Sequence, residues 1–181
     1  MIEVNGLQLI PADMSLAEEA ADYYRRNREF LKEFEPEHGE EFYTAYGQKM
    51  GLIAEEIAMK RGNICRFYIR HKDMPGKIIG VISLSDITMG FFCSAFLGYK
   101  LDETCINRGY MTELISWMVT YGFETLHLHR IEANVMPKNE RSLRVLEKNG
   151  FEREGLAKKY LRINGVWEDH IHMVKINDGM H

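Results

Sequence analysis

The sequence is poor in cysteine and proline and has no long apolar run, and each shortage excludes something. Its three cysteines, Cys65, Cys93 and Cys105, are an odd number at wide spacing. They build neither a disulfide framework nor a CxxC metal site and fit thiols kept reduced in a cytoplasm. With four prolines and no self-similar period of about 20 to 50 residues, the chain holds no low-complexity tract or repeat array. Its apolar runs are a few residues long, as at Phe91-Phe92-Cys93, far short of the roughly 20 that span a bilayer. Met1-Ile2-Glu3-Val4-Asn5 lacks the basic and apolar regions of a secretion signal. Basic charge is not in excess either. Lys and Arg number 23 against 27 Asp and Glu, a formal charge of -4, which argues against a broad basic face that grips nucleic acid directly.

What remains is an average globular composition, 45% hydrophobic and 28% charged over 181 residues. At roughly 150 residues per domain this is one domain, spanning residues 1–181, with enough chain to bury about 70% of its unfolded surface. Hydrophobic periodicity switches between 2 and 3.6 along the chain. Leu7 to Ile10 reads as a strand. Ser15 and Glu18 form a capping box for a helix to about Arg26. Pro36 and Gly39 break the chain before a second helix from about Glu40 to Lys60. Three strands follow, Ile64 to His71, Lys77 to Ser85 and Phe91 to Leu101, with Gly90 in the turn before the last. Met111, Leu114, Ile115, Met118 and Tyr121 mark an amphipathic helix after Arg108-Gly109. Ile131, Ala133 and Val135 alternate as a buried strand. A helix from Pro137-Lys138-Asn139 ends at Asn149-Gly150, with Gly150 in the C′ position. Phe151 to Arg162 and Val166 to Ile176 are strands joined by Asn164-Gly165, a type I′ hairpin signal. The mixed order implies an α+β layer structure around one sheet.

Two places carry chemistry. Tyr99 to Gly109 followed by the Met111 helix is a strand, a loop and a helix N-terminus, where unpaired N–H groups and a partial positive charge suit a phosphate. Arg108 adds a full charge there, and Gly109 lets backbone approach closely. The plainer alternative is a tight turn beside a solvated cation. Asn134 sits at a strand end, while Asn139 and Ser142 open the next helix. Two helix starts near one cleft, with amide and hydroxyl donors, suit a long polar cofactor. Asn139 also fits a simple N-cap, and the two roles are compatible.

Several stretches, in order, resemble the GNAT acyl-CoA N-acetyltransferases, and within them the RimJ/RimL group. They are Leu97-Gly98-Tyr99, Arg108-Gly109-Tyr110-Met111-Thr112-Glu113, His129-Arg130-Ile131-Glu132-Ala133-Asn134, Pro137 to Ser142, Asn149 to Gly155 and Ile163 to His170. Asn27 to Pro36 is also similar to RimJ. The resemblance implies a three-layer GNAT-like fold, a central mixed and mostly antiparallel sheet flanked by helices, with acetyl-CoA as cofactor. It implies acetyl transfer to the N-terminal α-amine of a ribosomal protein. A small-molecule amine acetyltransferase and a non-catalytic acyl-CoA sensor are the alternatives.

Laid on the family's pyrophosphate loop, only Gly109 keeps the family type. Ile106 and Met111 depart, and Asn107 stands where the subgroup usually has glycine. The cofactor residues implied are Leu97, Gly98, Tyr99, Asn107, Arg108, Gly109, Tyr110, Met111, Thr112, Asn134, Asn139 and Ser142. Many members carry a tyrosine acid where this chain has Leu146, so Ser142, with Tyr160 behind it, is the candidate to protonate or anchor the leaving thiolate. Glu103, Glu132 through water, or His170 are the candidates for the base. Cys105 is set aside as a nucleophile because direct transfer needs no acyl-enzyme. No histidine spacing forms a metal site. The acidic-aromatic stretch 29 to 46 is either a surface that steers a basic protein N-terminus or the charged face of an amphipathic helix. A homodimer is one option for the assembly.

Overall fold

The computed structural model describes residues 1–179. Eight strands form one sheet in the order β1-β2-β3-β4-β5-β6-β8-β7. They are β1 (Ile2–Val4), β2 (Leu7–Pro11), β3 (Cys65–His71), β4 (Ile78–Thr88), β5 (Ser94–Leu101), β6 (Arg130–Val135), β7 (Glu152–Ile163) and β8 (Val166–Ile176). Every neighbouring pair is antiparallel except β5 and β6. Five α-helices flank it, α1 (Ala17–Arg26), α2 (Arg28–Leu31), α3 (Ala45–Lys60), α4 (Tyr110–Glu124) and α5 (Glu140–Lys148).

The helices divide between the two faces because the sheet is apolar on both. On one side Ala20, Tyr23 and Leu52 pack with Tyr68, Ile78 and Val81. On the other Leu114, Ile115, Met118, Leu143 and Leu146 pack with Leu84, Ile131 and Ala133. Ile78 to Leu84 is buried at every position, as a strand covered on both faces must be. Gly122 lets α4 settle directly on β6, since a Cβ there would meet Ile131 Cδ1 at 2.8 Å. This is the three-layer α+β arrangement that the sequence implies.

Four local expectations change. Residues 2 to 4 form a strand, paired with β2 through Asn5-Gly6 at φ 48° and 82°, the same turn chemistry as Asn164-Gly165. Asp13 caps the 3₁₀ turn Met14–Leu16 that leads into α1, its Oδ1 accepting from the Ser15 N–H at 2.8 Å, and Leu16 stands at the N-cap of α1 with no side-chain bond, so the Ser15–Glu18 box does not form. The second helix starts as a short 3₁₀ turn at Glu40–Tyr43, and Thr44 then caps α3. Phe91, Phe92 and Cys93 lie in the turn before β5, with Phe91 and Phe92 exposed to solvent.

A buried polar node ties the first layer to the loop after β5. Asp102, 2% exposed, accepts from the Thr104 N–H and hydroxyl at 2.9 and 2.6 Å and from Asn27 Nδ2 at 3.2 Å. It also pairs with Arg26. Burial alone would raise its carboxyl, but the Thr104, Asn27 and Arg26 hydrogen bonds outweigh that and hold it down at about 2. A carboxyl held below its unfolded value of about 3.9 stabilises the fold above that pH and loses its contribution as pH falls towards 2. Asp102→Asn is therefore expected to lower stability by about 2.5 kcal/mol at pH 7, because the neutral amide forfeits the charge-assisted bonds that hold the carboxyl down. Denaturant melts of the variant and the parent should converge as pH falls from about 4 to 2.

Candidate active site

The sheet opens where its one parallel pair runs out. β5 and β6 pair only at Ser94–Arg130, Ala95–Ile131 and Phe96–Glu132. Beyond them β5 continues to Leu101 and β6 to Val135 with no ladder between. A cavity of about 500 Å³ occupies the split, and both strand edges line it. The main-chain groups of residues 97–101 that point towards β6 are thus free to bond a ligand.

Strand alternation sorts side chains to the two faces. Leu97 and Tyr99 point with Ala133 towards α4 and α5. Gly98, Lys100 and Asn134 take the other face, the one that α2 and residues 32–38 cover. The cavity is lined from both sides.

On the α4–α5 side, Asn107 and Gly109 hold positive φ of 61° and 82°. Gly109 is the N-cap of α4, with no side chain capping the first turn and only open space where a Cβ would project. The N–H groups of Tyr110, Met111 and Thr112 therefore have no intrahelical acceptor. The next helix differs, since Asn139 Oδ1 caps α5 by accepting from the Ser142 N–H at 3.2 Å. Arg108 lies at the mouth, donating to the Thr104 carbonyl at 3.0 Å, and Arg144 and Lys148 on α5 also line the cavity. An uncapped helix start ringed by three cations suits a phosphate-bearing ligand.

The hydroxyls of Tyr99 and Ser142 lie 2.6 Å apart on this side. Burial pushes the Tyr99 hydroxyl up to about 12, against the pull of Ser142. Both therefore stay protonated near neutral pH and can donate to a soft anion.

The opposite face is built from residues far apart in sequence. Glu35 and Lys100 form an ion pair at 2.8 Å, each side chain 23% exposed. Phe30 and Phe34 flank them in the cavity lining, with Arg141 over the Phe30 ring at 5.9 Å. Asn134 donates from Nδ2 to the Tyr160 hydroxyl at 3.3 Å, while its buried Oδ1 has no partner among the described residues. The tip of the β7–β8 hairpin is tied over this face. Asn164 Oδ1 accepts from the Glu37 N–H at 2.9 Å, and its Nδ2 donates to the Lys32 carbonyl at 2.5 Å.

Of the expected cofactor residues, all twelve line the cavity, though Asn134 turns to the face away from Ser142. Two expected catalytic residues lie elsewhere. Glu103 is exposed and outside the cavity, because the 3₁₀ turn Glu103–Cys105 buries Cys105 and turns the glutamate outward. Tyr160 does not stand behind Ser142. A bulge between Ala157 and Leu161, with Lys159 at φ 49°, sets it beside Asn134 on the other face. The partner of Ser142 is Tyr99. Glu132 pairs with Arg130 at 2.8 Å outside the cavity lining. His170, 5% exposed, does line it. Sequence reading missed the Glu35–Lys100 pair, for which the acidic stretch 29 to 46 was the one available signal. Among the described residues no cluster of three or more histidine, cysteine or carboxylate side chains could hold a metal ion, and no helix is long and apolar enough to cross a membrane.

Comparison with known proteins agrees with this geometry. The acetyltransferase (GNAT) domain family matches residues 8–152. The [ribosomal protein uS5]-alanine N-acetyltransferase of Escherichia coli (strain K12) is 39% identical over 153 residues, 83% of this chain and 77% of that protein. The ribosomal-protein-S5-alanine acetyltransferase of Vibrio fischeri superimposes with a TM-score of 0.94 at 38% identity, covering 99% of this chain and 98% of that one. Mycobacterium smegmatis RimJ, solved in complex with CoA-disulfide, gives 0.89 at 26% identity over 96% of this chain and 83% of its own. With most of its length matched by the family and by close relatives, the chain belongs to the GNAT acetyltransferases and is an N-acetyltransferase of that type.

Proposed function

We propose that this N-acetyltransferase moves the acetyl group of acetyl-CoA to the N-terminal α-amine of a ribosomal protein. The observation that carries the reading is the two-sided cavity through the split between β5 and β6. It offers a phosphate-binding helix start on one side and a carboxylate with aromatic walls on the other. The relatives named for ribosomal-protein acetylation support the choice of acceptor.

The residues fit acetyl-CoA, whose thioester supplies an activated acetyl group. The first N–H groups of α4, with Arg108, Arg144 and Lys148, bind the phosphates. The free edge of β5 at residues 97–101 hydrogen-bonds the amide-bearing arm and gives an N–H to the carbonyl oxygen as it gains charge. Asn139 fixes the start of α5 and so the position of Ser142. The Tyr99–Ser142 hydroxyl pair donates to the sulfur as it leaves. Glu35 attracts the cationic acceptor, exchanging its contact with Lys100 for one with the incoming ammonium. Phe30 and Phe34 exclude water around it.

Three outcomes are expected. Thiol release from acetyl-CoA should respond to ribosomal-protein N-terminal peptides, with the acetyl group mapped by mass spectrometry to the α-amine. Silence with peptides alongside turnover of a small amine would overturn the acceptor. Removing the Tyr99 hydroxyl (Tyr99→Phe) or the Ser142 hydroxyl (Ser142→Ala) should each lower kcat about tenfold, the scale of one hydrogen bond to a developing charge. The pH profile should keep its shape between pH 6 and about 9, because a hydroxyl near 12 does not titrate there. Glu35→Gln should raise the acceptor KM about tenfold while the calorimetric affinity for acetyl-CoA stays unchanged. A shift in acetyl-CoA affinity instead would place Glu35 on the cofactor side.

A further inference from the structure

The amine of an acceptor arrives at neutral pH as an ammonium, and it must lose a proton before its nitrogen can attack a carbonyl carbon. Of the three bases the sequence suggests, Glu103 and Glu132 lie outside the cavity, which leaves His170. Its place in β8 explains why. Ile171 and Met173 face α4 and α5, so alternation sends His170 and His172 to the face that carries Asn134 and Lys100. This is the acceptor side of the proposed reaction.

The local hydrogen bonding fixes which nitrogen is available. His170 Nδ1 lies 3.1 Å from the Glu168 carbonyl oxygen. A carbonyl only accepts, so Nδ1 carries the hydrogen, and the neutral ring presents Nε2 as a bare lone pair. No group among the described residues bonds Nε2, yet it is not sealed among the buried unpartnered atoms. The Tyr160 ring lies beside the imidazole, 5.5 Å away between centroids and tilted at 56° to it. Asn134, bonded to that tyrosine, lies on the same face with its buried Oδ1 unpartnered.

We propose that His170 Nε2 takes the proton from the acceptor amine. The assignment rests on the acetyl-transfer reading above. The ammonium gives one proton to Nε2, leaving a free amine and an imidazolium. The nitrogen then bonds the acetyl carbon as the carbon–sulfur bond breaks. A second nitrogen proton balances the thiol formed on the sulfur, and the imidazolium returns the first proton to solvent. The charged and titratable groups on this face are Tyr160 on β7, His172 and the Glu168–Lys138 pair beside it, Arg130, Glu132 and Glu154 further along, and Glu35, Lys100 and Arg141 across the cavity.

The test compares the parent with His170→Gln, using the responding peptide and the same peptide carrying an aminooxy group in place of its α-amine. The aminooxy nitrogen is already uncharged at neutral pH and needs no base to become nucleophilic. With the ordinary amine, kcat should fall about 100-fold, with acetyl-CoA affinity unchanged by calorimetry. With the aminooxy peptide the loss should shrink to a few-fold. An equal loss with both acceptors would make His170 structural and overturn the assignment while leaving acetyl transfer intact. Absence of turnover by the parent with every amine would overturn the acetyl-transfer reading and this assignment together. On the unaltered protein, ¹⁵N NMR should find His170 with its hydrogen on Nδ1. A hydrogen on Nε2 would overturn the proposal without any substitution.

Discussion

The active site exists because a single parallel strand pair is too short to close the sheet. In an otherwise antiparallel sheet, β5 and β6 share three residue pairs and then part. Unpaired strand edges inside a protein are costly unless a ligand or water takes their hydrogen bonds. The helix layers keep the split from collapsing. Leu143 and Leu146 of α5 pack against the β6 side, while Leu114, Ile115 and Met118 of α4 pack under the strands beside it. The buried Asp102 node holds the loop that launches α4 against the first layer. The positions of the helix start, the open edge and the Ser142 hydroxyl therefore follow from one packing arrangement.

The two faces of the split divide the chemistry. One side gathers partial and full positive charge around main-chain N–H groups, the arrangement that holds phosphates. The other holds a carboxylate, aromatic walls and an imidazole, the groups that the proposed reading assigns to binding an ammonium and taking its proton. On the proposed reading, reaction between the two is confined to the gap in the sheet, where donor and acceptor can meet away from bulk water.

Much of this was legible in the sequence, for identifiable reasons. Local signals carried the helices and hairpins, as with Asn164-Gly165 and the Gly150 ending of α5. The ordered stretches from Leu97 to Ser142 carried the twelve residues expected at the cofactor, which are close in sequence and line one cavity. The Asn5-Gly6 hairpin carries the same turn signal as Asn164-Gly165, but its first strand, three residues long, is too short to show an alternation. The acceptor half was harder to read. Glu35 meets Lys100 across 65 residues, a pairing that only the tertiary structure makes. The side to which Tyr160 points depends on a bulge, and one residue of register exchanges the faces of a strand. Charge alone could not tell Glu103 from Glu35, because burial decides which carboxylate matters.

The Asn164 tether has an evolutionary meaning. On the proposed reading the starts of α4 and α5 furnish the phosphate and thioester side, whereas residues 30–38 and 157–170, from opposite ends of the chain, meet Lys100, Asn134 and Arg141 on the acceptor side. These two outer segments touch through two hydrogen bonds of one asparagine side chain, a contact that costs little to remake. Substitutions in these two segments that keep the Glu35–Lys100 and Tyr160–Asn134 contacts can therefore reshape the acceptor wall while the starts of α4 and α5 stay in place. A lineage with this architecture can change which amine it modifies while inheriting its donor site intact, and a designer can exchange the same two segments as a cassette.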